Sequence, residues 1–544
     1  MELSSNKSNN KPFQIFSILA VSLVLGLCFD YFFYKKELGL SFLAYVLLIL
    51  TGILFICYVY KNKNVKTNSY LLIIPILFFA TMVFVRSNAV LSFLNIVASL
   101  LLILVLALSI TKKNISDYLL IDYIALIFKP FQFIPAFLKT IADASTLNKD
   151  TKGKDSARQI IRGILVTIPI IVIFSFLFSS ADLVFNKYFY EIFNNIDISS
   201  ETVFRITLIF FVTSFFIGAY SYTFREKYNS EENKDIKKLS QNQQHLEVVI
   251  LLTSLNTLFL LFLIIQVKYF FGGAPNISLE GFTYAEYARK GFFELIVVTV
   301  LSLLILWAVE NAVPQDGKHR RPFKLLSAFL IIQVFFIMAS SFMRLSLYEE
   351  AYGFTSLRVY SHSFILWLAV IFIFFLYKIF IDRTEKKFLF NSFISLIIYL
   401  SILNIFNPDA FIAKQNIKRF LISGELDMGY IDTLSYDTLP QMVRVLELDT
   451  DNKEIAFNEF KLASAEVRDG VDVRTALNID ELGQMSAKEK VIIQLFVKLN
   501  RLEAMEENWQ SINMSRLRAE KLLLVRIAQL KQSNQFNELI QKLE

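Results

Sequence analysis

The chain has 544 residues, of which 55% are hydrophobic and 19% charged, with a formal net charge of +7, and its mean hydropathy is +0.50. A soluble domain carries about 25% charged residues, so this composition excludes a wholly water-soluble protein and asks for a bilayer as the second solvent. Two cysteines (Cys28, Cys57) and three scattered histidines (His245, His319, His362) give neither a disulfide framework nor a thiol or imidazole metal cluster.

A membrane-crossing helix needs about 20 mainly apolar residues. Read with that window, the sequence predicts eleven spans: 13–33, 40–60, 70–85, 90–110, 161–178, 203–224, 248–267, 292–309, 323–342, 363–380 and 388–406. The first is longer than a signal-peptide core and has no small-residue cleavage site near its end, so it reads as a retained anchor. Residues 117–142 are apolar but carry Lys129, Pro130 and Pro135, and read as an interfacial or re-entrant segment. Residues 181–198 mix Phe and Tyr with Asp182, Lys187 and Glu191 and read the same way.

Loop charge sets the expected orientation. Segments on the side of the N-terminus carry 27 Lys and Arg, against 10 on the other side. The positive-inside rule then places the N-terminus in the cytoplasm. With eleven spans the C-terminus lies outside.

From Asn407 the composition changes. The last 138 residues hold 18 basic and 22 acidic side chains, a soluble composition. Asn407-Pro408-Asp409 has the form of a helix start, with Asn as cap, Pro in the first turn and Asp at the positive end of the dipole. Ser486-Ala487-Lys488-Glu489 has the form of a capping box. Apolar residues recur at spacings of three and four after it. The expected fold class is all-α: a transmembrane helical bundle of about eleven spans over 1–406, and a soluble acidic helical domain over 407–544.

Three segments carry a resemblance. They are Tyr284-Ala285-Glu286-Tyr287-Ala288-Arg289-Lys290-Gly291-Phe292-Phe293-Glu294-Leu295; Arg344 with Leu347-Tyr348-Glu349-Glu350-Ala351-Tyr352-Gly353-Phe354-Thr355-Ser356-Leu357-Arg358; and Asn407-Pro408-Asp409 with Ile412-Ala413 and Asn416-Ile417. Together they resemble the bacterial membrane-protein family catalogued as domain of unknown function 4173, with its relative 4153, over about residues 160–445. The resemblance implies a polytopic protein of the bacterial inner membrane with uncharacterised activity, and transfers no mechanism.

In the expected topology all three segments fall on the outer face. They supply a candidate polar cluster: Glu286, Tyr287, Arg289, Glu294, Arg344, Tyr348, Glu349, Tyr352, Arg358, Asn407, Asp409 and Asn416. Such a cluster could form a polar pocket at the membrane boundary, roofed by the C-terminal domain. The plainer reading is that interfacial Tyr anchors the chain and that Arg and Glu at helix ends snorkel or pair.

No Gly-rich loop ending in Lys-Ser/Thr appears, nor His-Glu-x-x-His, nor Gly-x-Ser-x-Gly. His362 between Ser361 and Ser363 reads as a polar helix entry. Asp30, Glu294 and Glu310 sit near predicted helix ends, and deep ionisable residues, which would mark a transport path, are nearly lacking. No cofactor, metal or nucleic acid is expected. The expected partners are the bilayer and a protein bound through 407–544. A non-catalytic envelope sensor or scaffold is therefore the leading reading. One alternative is a transferase acting on a lipid-linked substrate at the outer face, with Asp30 or Glu37 as acid and Arg289 or Arg358 as phosphate holder. A transporter is the other.

Overall fold

A computed structural model describes residues 11–60, 67–111, 114–144, 200–225, 245–271, 292–313, 320–448, 454–456, 487–505 and 508–532. The helices, in chain order, are α1 (Lys11–Phe33), α2 (Leu40–Val59), α3 (Ile73–Val85), α4 (Ala89–Thr111), α5 (Leu120–Phe128), α6 (Phe133–Ala144), α7 (Ser200–Phe224), α8 (His245–Phe271), α9 (Phe292–Ala312), α10 (Arg320–Tyr352), α11 (Ser356–Phe380), α12 (Glu385–Phe406), α13 (Pro408–Ser423), α14 (Met428–Thr433), α15 (Leu439–Val445), α16 (Ala487–Glu503) and α17 (Met514–Leu530). Strands β1 (Glu425–Asp427) and β2 (Glu454–Ala456) pair in parallel. Three residues each is too short for the alternation that marks a strand in a sequence.

Ten helical stretches among the described residues are long and apolar enough to cross a membrane. Nine of them answer to expected spans. The span expected at 161–178 and the interfacial segment expected at 181–198 lie outside the described residues. The span expected at 70–85 is a 3-10 helix (Thr67–Leu72) running into the 13-residue α3, about 12 Å plus 20 Å of continuous helix against a hydrocarbon core of about 30 Å. The tenth stretch is Leu120–Ala144, with the lowest mean hydropathy of the ten at 1.4. It is the segment expected at the interface. It forms two helices, α5 and α6, joined by a 3-10 turn at Lys129–Gln132. Pro130 sits in the first turn of that segment, where its missing N–H breaks no helical bond. The Asp122 carboxylate caps α5 by accepting from the Leu119 N–H at 2.7 Å.

The chain divides into two units. The first comprises Met1–Val85, Ser92–Asn229 and Glu506–Met514. In it α7 packs along α1 and α6. Gly218 of α7 makes the approach to α6 possible: a Cβ there would lie 2.3 Å from the Phe133 carbonyl oxygen. Residues 508–513 cover the turn between α1 and α2. Trp509 stands edge-on to Phe32 at 5.3 Å, and Leu40 N–H donates to the Ile512 carbonyl at 2.9 Å.

The second unit comprises Arg86–Leu91, Ser230–Met505 and Ser515–Glu544. Here α10 packs against α8, α9 and α11, and α11 against α12. The helices after α12 enclose an apolar core that includes Phe420, Met428, Ile431, Leu439, Met442, Val491, Leu495 and Leu523. The expected loop from Arg344 to Arg358 is mostly helix. α10 runs on to Tyr352, α11 begins at Ser356, and the link is only Gly353–Thr355. The hydropathy window stops at Arg344 and the Glu349-Glu350 pair, but Leu, Glu and Ala are good helix formers, so the helix outlasts its apolar part.

Candidate functional site

The residues of the α10–α11 turn and of the chain after α12 meet at one end of the second unit. Gly353 closes α10 with φ +81°, a left-handed conformation that favours glycine. Its N–H donates to the Glu349 carbonyl at 2.8 Å. Asn416 of α13 grips the next peptide from both sides. Its Oδ1 accepts from the Phe354 N–H at 2.7 Å, and its Nδ2 donates to the Phe354 carbonyl at 2.9 Å. One helical turn on, Arg419 donates to the carbonyls of Glu350 at 3.1 Å and Ala351 at 2.7 Å. These are acceptors that a helix C-terminus leaves open. Arg358 of α11 donates back to the Gly353 carbonyl and lies over the Tyr348 ring at 4.0 Å. Tyr348 in turn meets Tyr352 at 4.9 Å.

Asn407 makes the corner between α12 and α13. It holds φ +55° and caps α13 through Ala410 N–H. Pro408 fills the first turn. Asp409, 2% exposed, accepts from the Ser435 N–H at 3.0 Å. Tyr430 places its hydroxyl 2.7 Å from the Ser356 nitrogen. Val359, Ile412 and Leu434 form the apolar centre, with Phe354, Phe411 and Tyr430 against it. Arg86 donates twice to the Asn404 carbonyl, at 3.0 and 2.7 Å, and lies 3.5 Å from Asp437. Asn88 accepts from Tyr360 at 3.3 Å.

Below the turn, Arg344 donates to Gln266 Oε1 at 2.7 Å, and His362 Nδ1 lies 3.3 Å from Glu349. Ser346, His362 and Glu349 thus follow the order of a hydrolytic triad. The proton directions oppose that role. Both Ser346 Oγ (3.0 Å) and His362 Nε2 (3.1 Å) point at the Phe342 carbonyl, which only accepts. The Ser346 hydroxyl is thus donated to a carbonyl of its own helix rather than to the imidazole. The contact of Nδ1 with the 4% exposed Glu349 ties α10 to α11.

Of the sequence candidates, the structure brings together Arg344, Tyr348, Glu349, Tyr352, Arg358, Asn407, Asp409 and Asn416. Glu294 is exposed in the first turn of α9. Glu286, Tyr287 and Arg289 lie outside the described residues. Sequence reasoning missed Arg86, Asn88, Arg419, Tyr430 and the pairing of His362. Arg419 alone had a signal, three residues after Asn416 on the same helix face. Asp30, the candidate acid of the transferase reading, is 5% exposed and held by Arg205 through both oxygens at 2.6–3.1 Å. Glu310 bridges Arg320, at 3.3 Å, and Lys378, and all three are buried. No group of three or more His, Cys, Asp or Glu with metal-binding geometry occurs among the described residues.

A family model described as a domain of unknown function, DUF4153, matches residues 73–445. The chain belongs to the DUF4153 family. No curated protein and no solved structure matches it. The DUF4153 region begins well before residue 160, so it takes in Arg86 and Asn88 as well as the α10–α11 turn. It ends at α15, leaving β2, α16 and α17 beyond it.

Gly353→Ala is expected to cost at least the 1–2 kcal/mol of a left-handed non-glycine residue, since its Cβ would also stand 2.8 Å from Asn416 Oδ1. A thermal-stability series in detergent checks this. An unchanged midpoint would mean that the turn is not locked by Asn416.

Proposed function

We propose that this membrane protein is a non-catalytic envelope scaffold or sensor, and that the α10–α11 turn is the joint coupling its bundle to its C-terminal helical domain. The observation that carries this reading is where the polar groups point. Asn416, Arg419, Arg358 and Arg86 all donate to main-chain carbonyls of neighbouring elements. A substrate site keeps some convergent polar groups turned into open space, whereas groups turned onto backbone hold parts together. The helical domain is the proposed surface for a protein partner.

Loop charge supports an inner-membrane protein with a cytoplasmic N-terminus and an external C-terminal domain. The turns that the C-terminal chain contacts, at 34–39, 86–88 and 353–355, hold only Lys35, Lys36 and Arg86 as basic residues. The segments 61–66, 112–162 and 225–238, from the other ends of the same helices or their neighbours, hold 17.

Complementation of a deletion strain tests the reading. Asn416→Ala removes two hydrogen bonds, worth about 1–3 kcal/mol together. It should speed amide exchange over 353–358 and 408–423 and reduce complementation in step. Asp30→Asn should complement wherever it accumulates normally. An Asp30→Asn protein present at full level but inactive would replace this reading by the transferase.

A further inference from the structure

In the first unit a cavity of about 310 Å³ opens among the ends of α1, α2, α6 and α7. Its polar lining includes Gln14, Tyr60, Lys139, Thr140, Asp143 and Arg225. Arg225 is fixed in place. It donates to Thr140 Oγ1 and to Asp143 Oδ2, each at 2.6 Å, and its side chain is 15% exposed. A guanidinium has five N–H groups, so donors remain after those two bonds. Lys139 is exposed, with no ion-pair partner among the described residues. Two cations against one carboxylate leave the lining with an excess of one positive charge. The Tyr60 hydroxyl in the lining is a hydrogen-bond donor at neutral pH.

The surroundings narrow the ligand. The α5–α6 segment beside the cavity exposes Ile127, Phe128, Phe131 and Ile134, an apolar face suited to acyl chains. The chain segments leaving this end of the helices, 61–66, 112–162 and 225–238, carry the basic excess of the molecule. Such an end faces the leaflet rich in anionic lipid, and basic pockets between spanning helices there take lipid headgroups. We infer that this cavity binds the phosphodiester of an anionic phospholipid, with Arg225 and Lys139 on the phosphate oxygens and Tyr60 and Gln14 as further donors. The inference stands apart from the joint in the second unit and does not depend on it.

The test uses the full-length protein in detergent. Thermal stabilisation and retention in native mass spectrometry are read with phosphatidylglycerol, phosphatidylcholine and inorganic phosphate. Phosphatidylglycerol should be retained at least several-fold over phosphatidylcholine, and Lys139→Gln/Arg225→Gln should abolish that preference. Because Arg225 also holds Asp143, Lys139→Gln alone is the second variant. It leaves the Arg225 contacts intact and should reduce the preference. Equal retention of the two lipids, or a preference that both variants keep, overturns the proposal. Stabilisation by inorganic phosphate with none by phosphatidylglycerol also overturns it, in favour of a soluble anion site.

Discussion

Glu310→Leu is expected to destabilise the later spans by about 3–5 kcal/mol, the usual result of leaving a buried charge without its partner. Glu310 is the carboxylate that Arg320 and Lys378 share, and those two cations are 4% and 2% exposed. The Lys378 ammonium also lies 5.7 and 5.4 Å from the Phe375 and Phe388 rings, which soften but do not replace an anion. The single variant should therefore lose its monodisperse elution at a much lower temperature than the parent. Glu310→Leu/Arg320→Leu/Lys378→Met should recover most of the loss, because an apolar cluster of similar volume often matches a buried ion group. Equal stability of the single variant and the parent would show that the cations find water and that the cluster is no structural tie.

The second large effect is expected in the apolar core formed by the helices after α12. Asp432 meets Lys498 at 3.1 Å and Arg501 at 3.3 Å, with its side chain 1% exposed. Burial alone would raise its carboxyl, but Lys498, the hydrogen bond with Gln494 and Arg501 outweigh burial and hold it below the usual carboxylate range. A carboxyl depressed by folding binds its proton less tightly in the folded state than in the unfolded one. Its stabilising contribution is then complete above the unfolded value of about 3.9 and disappears as pH falls through the folded value. The C-terminal domain should thus weaken below about pH 4. Asp432→Asn should cost about 3–5 kcal/mol at neutral pH, since it removes the carboxylate that faces Lys498 and Arg501, and should flatten that acid limb. Protease resistance of the full-length protein at pH 7 and pH 3 reads both. An acid limb as steep in Asp432→Asn as in the parent would assign the acid sensitivity to other groups.

Much of the architecture was legible because lipid imposes a simple code. Long apolar runs bounded by charge gave nine of the ten membrane-length stretches. Asn407-Pro408-Asp409 marked the corner between α12 and α13, since capping is a local event. The errors arose where local composition and helix geometry part company. The polar end of α10 looked like a loop because hydropathy and helix propensity are different properties. The site was half legible. Asn416, Arg358 and Asp409 stood out as polar residues next to a membrane boundary, but their partners are far off in the chain. Arg86 reaches a carbonyl 318 residues away, and Glu310 and Lys378 are brought together only by α9 packing near α11. Nothing in a single sequence announces such pairs.

The 33 residues of α10 make a rod of about 50 Å at 1.5 Å per residue, while the hydrocarbon core is about 30 Å thick. One end is pinned by the Arg320–Glu310 contact, and the other carries the turn gripped by Asn416 and Arg419. Such a rod is a lever. A tilt of 10° about the pinned end would sweep the tip sideways by about 9 Å, more than the diameter of a side chain. Any tilt of α10 would thereby be handed on to α13 through the Asn416 and Arg419 contacts.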